Sequence, residues 1–334
     1  MSMEVVKPGL HATVQDLGRR GYGKYGIPKS GAMDGYAHRL ANWLVGNNAC
    51  EAALEITWSG FSVRFNRDML VAITGANLTP ECGGLAVPMW RPIWFRQGSE
   101  LSFKHPVSGC RAYLAVSGGL DVPEVMGSRS TYLRGKVGGL HGRALQARDV
   151  IPIKITPHED KPLFVGTAGP ESEAFYAPTW SATPRHGYVG PDPIVRVTRG
   201  REYGDFQEEA LQHFITERYR IQPDSDRMGY RLSGPPLLLH TLREYISEGV
   251  ADGTVQVPAD GQPIILMADR QTLGGYPKIA QIISVDLPLV AQLRPGGNIR
   301  FREVSIAEAE KLYYEAAREM KLLHRMIDYK LKES

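Results

Sequence analysis

Gln256-Val-Pro-Ala-Asp-Gly-Gln-Pro263 leads into the apolar run Ile264-Ile-Leu-Met-Ala268. That run gives way to Asp269-Arg-Gln-Thr-Leu-Gly-Gly-Tyr-Pro-Lys278, and a second apolar run follows at 279–285. Five apolar residues held between Pro and Asp have the length of a strand and fall short of a helix. A polar cluster directly after such a strand marks where side chains leave a barrel wall for its rim. The same punctuation recurs along the chain, because 36 Gly and 23 Pro among 334 residues divide it into many short apolar segments. Candidate strands lie at 3–7, 61–65, 70–74, 93–95, 111–116, 150–155, 163–166, 194–199, 264–268, 279–285 and 298–301. Strands of about five residues ending in Gly, Pro, Asn or Asp favour closed barrels or sandwiches over a doubly wound α/β sheet. The expected class is mainly β with some α.

Three segments read as helices. Asp34 is placed to cap a helix carrying Ala37, Leu40, Ala41 and Leu44 at i, i+3, i+4 and i+7, with Gly46 at the left-handed position past its end. A similar stripe, Phe206, Ala210, Leu211 and Phe214, predicts a helix over 206–217. Ser305-Ile-Ala-Glu308 is a capping box opening a long helix to about Leu331. Its seam of Ala309, Tyr313, Ala316, Met320, Leu323 and Ile327 asks for a single partner surface, either the chain's own barrels or another polypeptide.

Lys plus Arg is 39 and Asp plus Glu is 36, scattered without a basic block, so neither nucleic acid nor an anionic membrane is indicated as a partner. Three widely spaced cysteines, with no C-x-x-C and no zinc-like spacing, fit a reduced cytoplasm and no metal site. No apolar run approaches the roughly 20 residues that span a bilayer, and no leader pattern opens the chain, so a soluble, unprocessed protein is expected. A Walker-type phosphate loop, G-x-S-x-G and H-E-x-x-H are all missing. Any ATP or biotin is then brought by a partner or held at a site that short motifs do not mark.

Two loops concentrate chemistry. The first, Thr13 to Asp34, interleaves five glycines with Asp16, Arg20, Tyr22 and Ser30 before its last turn, which lets backbone approach a ligand while those side chains supply donors and acceptors. Its composition equally suits a structured surface loop of Asx turns and caps. The second is the quoted cluster, where Gln256, Asp269, Gln271, Thr272, Tyr276 and Lys278 are candidates for one pocket. Gln and Thr bond a carbamoyl group, Lys holds an anion, and Asp orients an N–H or a water. A turn with a surface Asp–Lys pair is the alternative. Arg227, in Ser225-Asp-Arg-Met-Gly229, has the fork that grips a carboxylate or phosphate. Glu55, between Leu54 and Ile56, reads as buried and paired, and Asn42 and Asn47 as helix-end hydrogen bonders.

Thr13-Val-Gln-Asp-Leu-Gly-Arg19, Ser30-Gly-Ala-Met-Asp34, Leu54-Glu55, Tyr113-Leu-Ala-Val-Ser-Gly-Gly119, Ser225-Asp-Arg-Met-Gly229, Ser247-Glu-Gly249, Gln256-Val-Pro258 and Gln271-Thr-Leu-Gly-Gly-Tyr-Pro277 run in order along the chain. Together they resemble the family of allophanate hydrolase subunit 2, the 5-oxoprolinase C subunit (the KipI antagonist, KipA) and the carboxyltransferase domain of urea carboxylase. Arg148, where Gly is usual before Asp149, and Leu273, where a second Thr is common, are small departures. The resemblance implies cyclophilin-like β-barrel lobes around a shared cleft. It implies two partners, the KipI-type protein that forms the B subunit, and the A subunit. It further implies ATP-dependent opening of 5-oxo-L-proline to L-glutamate. Biotin-dependent carboxyl transfer to urea or a related amide is the alternative, and a regulatory role in binding a KipI-type kinase inhibitor is a third. Prolines accumulating between 157 and 193 set the expected divisions at 1–156, 157–304 and 305–334, the last being the helix. The expected catalytic groups are Asp269 as base or orienter, with Lys278 and Arg227 as anion partners. Asp16, Arg20, Tyr22, Ser30, Gln256, Gln271, Thr272 and Tyr276 are expected to bind substrate.

Overall fold

The computed structural model describes residues 1–154, 174–182, 192–241 and 243–333. The chain forms two compact units. One comprises Met1–Arg19, Ser30–Tyr188 and Met320–Ser334, and the other Arg20–Lys29 and Val189–Glu319. The division expected near Pro157 and the strand expected at 163–166 lie outside the described residues.

The first unit holds strands β1 (Ser2–Pro8), β2 (His11–Gln15), β3 (Ala53–Thr57), β4 (Phe61–Phe65), β5 (Met69–Asn77), β6 (Pro80–Cys82), β7 (Leu85–Ala86), β8 (Pro92–Phe95), β9 (Glu100–Phe103), β10 (Ser108–Val116), β11 (Val150–Pro152) and β12 (Phe175–Tyr176). They make two six-stranded antiparallel sheets, ordered β11-β1-β4-β9-β6-β7 and β12-β8-β5-β10-β3-β2. Period-two alternation explains why β5 reads as an unbroken apolar run. Met69, Val71 and Ile73 face the core between the sheets, joined by Val63 and Phe65 of β4 and by Leu114 of β10. Leu70 and Ala72 face the other way, onto helix α1 (Gly35–Leu44) and its Ala37, Leu40, Ala41 and Leu44. Burial of each such Leu or Val contributes about 1.5–3 kcal/mol. As its sequence requires, α1 begins with Asp34 Oδ1 accepting from Tyr36 N at 3.1 Å and Ala37 N at 2.9 Å, and Gly46 has a left-handed φ of 74°.

The second unit contains β13 (Ile194–Arg199), β14 (Tyr219–Ile221), β15 (Gly229–Ser233), β16 (Glu248–Gly249), β17 (Thr254–Gln256), β18 (Ile264–Leu266), β19 (Leu273–Gly274), β20 (Lys278–Ile282) and β21 (Asn298–Glu303). Seven of them form a closed barrel, β13-β20-β17-β18-β15-β14-β21, sealed by the parallel pairing of β13 with β21, while β16 and β19 form a small ribbon. Val195, Val255, Ile265, Ile299 and Phe301 are buried in this unit. Helix α2 (Glu208–Thr216) stacks Phe214 on Phe301 with ring centroids 4.5 Å apart. It starts later than its apolar stripe suggests, because Phe206 is buried just ahead of it, after a 3-10 turn. A short α3 (Leu287–Ala291) precedes β21.

The terminal helix α4 (Ile306–Glu333) is capped by Ser305 Oγ, which accepts from Glu308 N at 3.1 Å. Within the second unit Ala309, Leu312 and Ala316 pack on Ile283, Val285 and Val304. Within the first, Met320, Leu323, Ile327 and Leu331 join the apolar face of α1, and His324 stacks on Trp43 at 4.4 Å. The partner surface of the seam is therefore the chain itself. Tyr313 is a correction, since it is exposed and Leu312 takes its place. Positions 312, 316, 320, 323 and 327 keep one stripe, and 313 lies about 100° around the helix from 312. Among the described residues no helix is long and apolar enough to cross a membrane.

Candidate functional site

The end of β18 and the start of β15 bring the first pair of candidates together. Asp269 N donates to Arg227 O at 2.8 Å, and Met267 N to Met228 O at 2.9 Å, so the two segments continue as a ladder beyond their strands. Asp226 Oδ1 turns the backbone by accepting from Met228 N at 2.7 Å. Arg227 then forks onto Asp269, with Nε 2.9 Å from Oδ2 and Nη2 3.1 Å from Oδ1, both side chains 7% exposed. Nε and Nη2 of the guanidinium are thus engaged by Asp269, which Arg227 orients.

Lys278 opens β20 and is buried, with Glu202 and Glu248 carboxylate oxygens 3.5 and 3.8 Å from its ammonium. Gln256 is also buried and directs its amide to Tyr276 O at 3.4 Å, where it supports the loop. Gln271 and Tyr276 are exposed and Thr272 is half-buried. Arg270 pairs with Asp252, which also accepts from Lys29 Nζ at 3.2 Å. That bond ties the Arg20–Lys29 segment into the barrel unit. A Cβ at Gly23 would sit 4.0 Å from the Thr272 methyl, so the tip of the first loop and the second cluster adjoin. Tyr22 is half-buried here and Arg20 exposed.

Asp16 and Ser30 belong to the first unit, and there the structure gives Asp16 an architectural task. Its Oδ1 accepts from Gly18 N, Ser128 Oγ and Ser130 Oγ at 2.7, 2.7 and 2.5 Å, and Oδ2 accepts from Arg129 N at 2.6 Å. Four donors of the chain itself take up the carboxylate, which fixes two loops over a hundred residues apart. Ser30 is buried with a left-handed φ of 53°. Glu55 is buried and paired, its Oε2 accepting from Tyr113 Oη at 2.7 Å and Met33 N at 2.9 Å. Burial first, and the Glu55 charge second, hold the Tyr113 hydroxyl well above the usual phenol range. Asn42 and Asn47 link the end of α1 to Glu51 O and Val116 O.

Glu202 and Glu248 were missed by sequence reasoning. Glu248 stood in the Ser247-Glu-Gly249 motif without a role, and Glu202 is 76 residues from Lys278 and gave no local signal.

A seven-stranded barrel unit and a two-sheet unit, the former carrying the buried Arg227–Asp269 pair and, separately, Lys278 beside Glu202 and Glu248, define a carboxyltransferase-type fold. The chain belongs to the family of the carboxyltransferase domain, subdomain A and B, whose model matches residues 25–303. Among its relatives is the 5-oxoprolinase C subunit of Escherichia coli (strain K12), 40% identical over 310 residues, covering 92% of this chain and 93% of that protein. The Haemophilus influenzae 5-oxoprolinase C subunit is 37% identical over 328 residues, covering 98% of this chain and 99% of that protein. The crystal structure of the K. lactis urea amidolyase matches with a TM-score of 0.85 at 31% identity, over 96% of this chain and 20% of that one.

Proposed function

We propose that this chain is the C subunit of an ATP-dependent 5-oxoprolinase that opens 5-oxo-L-proline to L-glutamate together with its A and B subunits. The observation that carries this reading is the end-to-end match, 92% of one chain against 93% of the other, to a protein named as that subunit. Phosphoryl transfer from ATP to the lactam oxygen activates the ring carbonyl carbon, to which water adds; the ring C–N bond then breaks and phosphate leaves, while fixed donors stabilise the charge that develops. In this reading Asp269, oriented by Arg227, positions a water or an N–H, and Lys278 faces the substrate's anionic group. Thr272, Gln271, Tyr276 and Tyr22 surround the amide. That Arg227 and Lys278 are paired with carboxylates supports a reading in which a partner polypeptide supplies the ATP.

Reconstitution with the A and B subunits should yield glutamate only when ATP is present, and this chain alone should show no turnover. Asp269→Asn, which keeps an acceptor for the Arg227 guanidinium, should abolish turnover while partner binding persists. Three soluble subunits without activity would overturn the reading. A second reading, biotin-dependent carboxyl transfer to urea or a related amide, is favoured by the TM-score of 0.85 to a urea amidolyase. Carboxylation of urea on supplying a biotin carboxylase and a biotinylated carrier would decide for it.

A further inference from the structure

The turn after β13, Gly200-Arg-Glu-Tyr203, closes on the first residue of β20. Gly200 N donates to Ile279 O at 2.9 Å, and a Cβ at 200 would run into the carbonyl oxygen of Lys278. Only glycine allows this approach. The turn then aims Glu202 at Lys278 through three contacts. Glu202 N donates to Lys278 O at 3.3 Å, Glu202 Oε2 accepts from Lys278 N at 2.9 Å, and the same oxygen stands 3.5 Å from Lys278 Nζ. Glu248 Oε2 lies 3.8 Å from the same ammonium. Glu248 Oε1 meanwhile accepts from Arg201 Nη1 at 2.5 Å, and Arg201 Nε is 3.8 Å from Glu202 Oε1. Four charges of alternating sign, Arg201, Glu202, Lys278 and Glu248, thus form a closed ring.

The two carboxylates are unlike. Glu202 is 10% exposed and bound to the Lys278 backbone, whereas Glu248 is 36% exposed, sits on the two-residue ribbon opposite Gly274, and makes its short bond to the 71% exposed Arg201. The Lys278 side chain is only 11% exposed, yet both of its ammonium contacts are longer than a good charge-assisted hydrogen bond of about 2.7–2.9 Å. An ammonium with three donors is therefore held by charge and not by bonds. Moving Glu248 fully onto Arg201 breaks no hydrogen bond to Lys278.

We infer that Glu248 is a displaceable stand-in for a ligand carboxylate, with Glu202 the positioning residue that fixes Lys278 to receive it. A monocarboxylate ligand takes the place of Glu248 one for one at the Lys278 ammonium and gains the short bond that Glu248 does not make. This deepens the function proposed above and rests on it for the identity of that ligand.

The test uses the full chain with four probes, 5-oxo-L-proline and its carboxamide, acetate and acetamide. Affinities are read by calorimetry, and the fold of each variant is checked by circular dichroism. Glu248→Gln should bind both carboxylates about tenfold more tightly, because a repelling charge roughly 4 Å from the ammonium is removed. Both carboxamides should stay unchanged. Glu202→Ala, which removes the oxygen that accepts from Lys278 N, should weaken the carboxylates without moving the carboxamides, and Glu202→Gln, which keeps an acceptor there, should recover the loss. Carboxylates and carboxamides shifting together, or carboxylates weakened by Glu248→Gln, would overturn the inference. Acetate behaving as stated while 5-oxo-L-proline fails to bind any variant would uphold the stand-in and sink the substrate assignment. Binding of 5-oxo-L-proline with no response of either carboxylate to Glu248→Gln would do the reverse.

Discussion

Lowering the pH from 7 to 5 should cost the first unit about 2 kcal/mol of stability through His38 alone. The residue lies on the inner face of α1, fully buried, with Nε2 3.1 Å from Gln15 O and its ring edge-on to Tyr113 at 5.9 Å. Burial pushes its pKa down from 6.5 to about 4, outweighing the Gln15 carbonyl and the charges of Asp16 and Glu55, which raise it, while Arg39 adds to the lowering. In the unfolded chain the imidazole titrates near 6.5. Between those two values the unfolded state binds a proton that the folded state refuses, so stability falls as the pH falls. The full loss is about 3 kcal/mol below pH 4, of which about 2 is reached at pH 5. All five tryptophans, Trp43, Trp58, Trp90, Trp94 and Trp180, belong to the first unit, so urea denaturation followed by tryptophan fluorescence reports on that unit. His38→Asn should remove this part of the slope, because the other titrating groups are common to both proteins. An imidazole NMR titration of the wild type should place His38 near 4. Parallel pH dependences for wild type and His38→Asn would refute the reasoning.

Arg227→Met should destabilise the barrel unit by about 3–5 kcal/mol, because it leaves the Asp269 carboxylate buried without its counter-ion. Arg227→Met with Asp269→Leu should recover most of that loss, and thermal unfolding that ranks the double variant below the single one would contradict the pairing. Truncation after Val304 should give insoluble or unfolded protein, since it uncovers Ile283 and Val285 in one unit and the apolar face of α1 in the other. A soluble, folded truncation unable to assemble with its partners would make α4 an interface element instead.

Local chemistry by itself determined the short elements. Asp34 and Ser305 announce their helices because an N-cap needs only the two or three residues after it, and Gly46 marks an end because its left-handed backbone is a property of one residue. The runs at 61–65 and 194–199 became strands over the same residues. The run at 298–301 extends two residues further, to Glu303. Hydrophobic period also assigned the α4 seam apart from Tyr313, which lies one helical step outside the stripe.

Only the tertiary structure decided where the chemistry sits, because strand pairing joins residues that share no local pattern. Asp16 is spent on Ser128, Arg129 and Ser130, more than a hundred positions away, although its loop looked ligand-facing. The Arg20–Lys29 tip of that loop joins the barrel unit and the rest of it does not, a division set by contacts such as Lys29 with Asp252. Arg227 and Asp269, each a candidate by residue type, neutralise one another once β15 and β18 pair. Lys278 was legible as a cation after an apolar strand, but its carboxylate neighbours come from a turn after β13 and from a two-residue ribbon. The charge ring exists only when β13 pairs with β20 and the β16–β19 ribbon forms, and no window of sequence contains it.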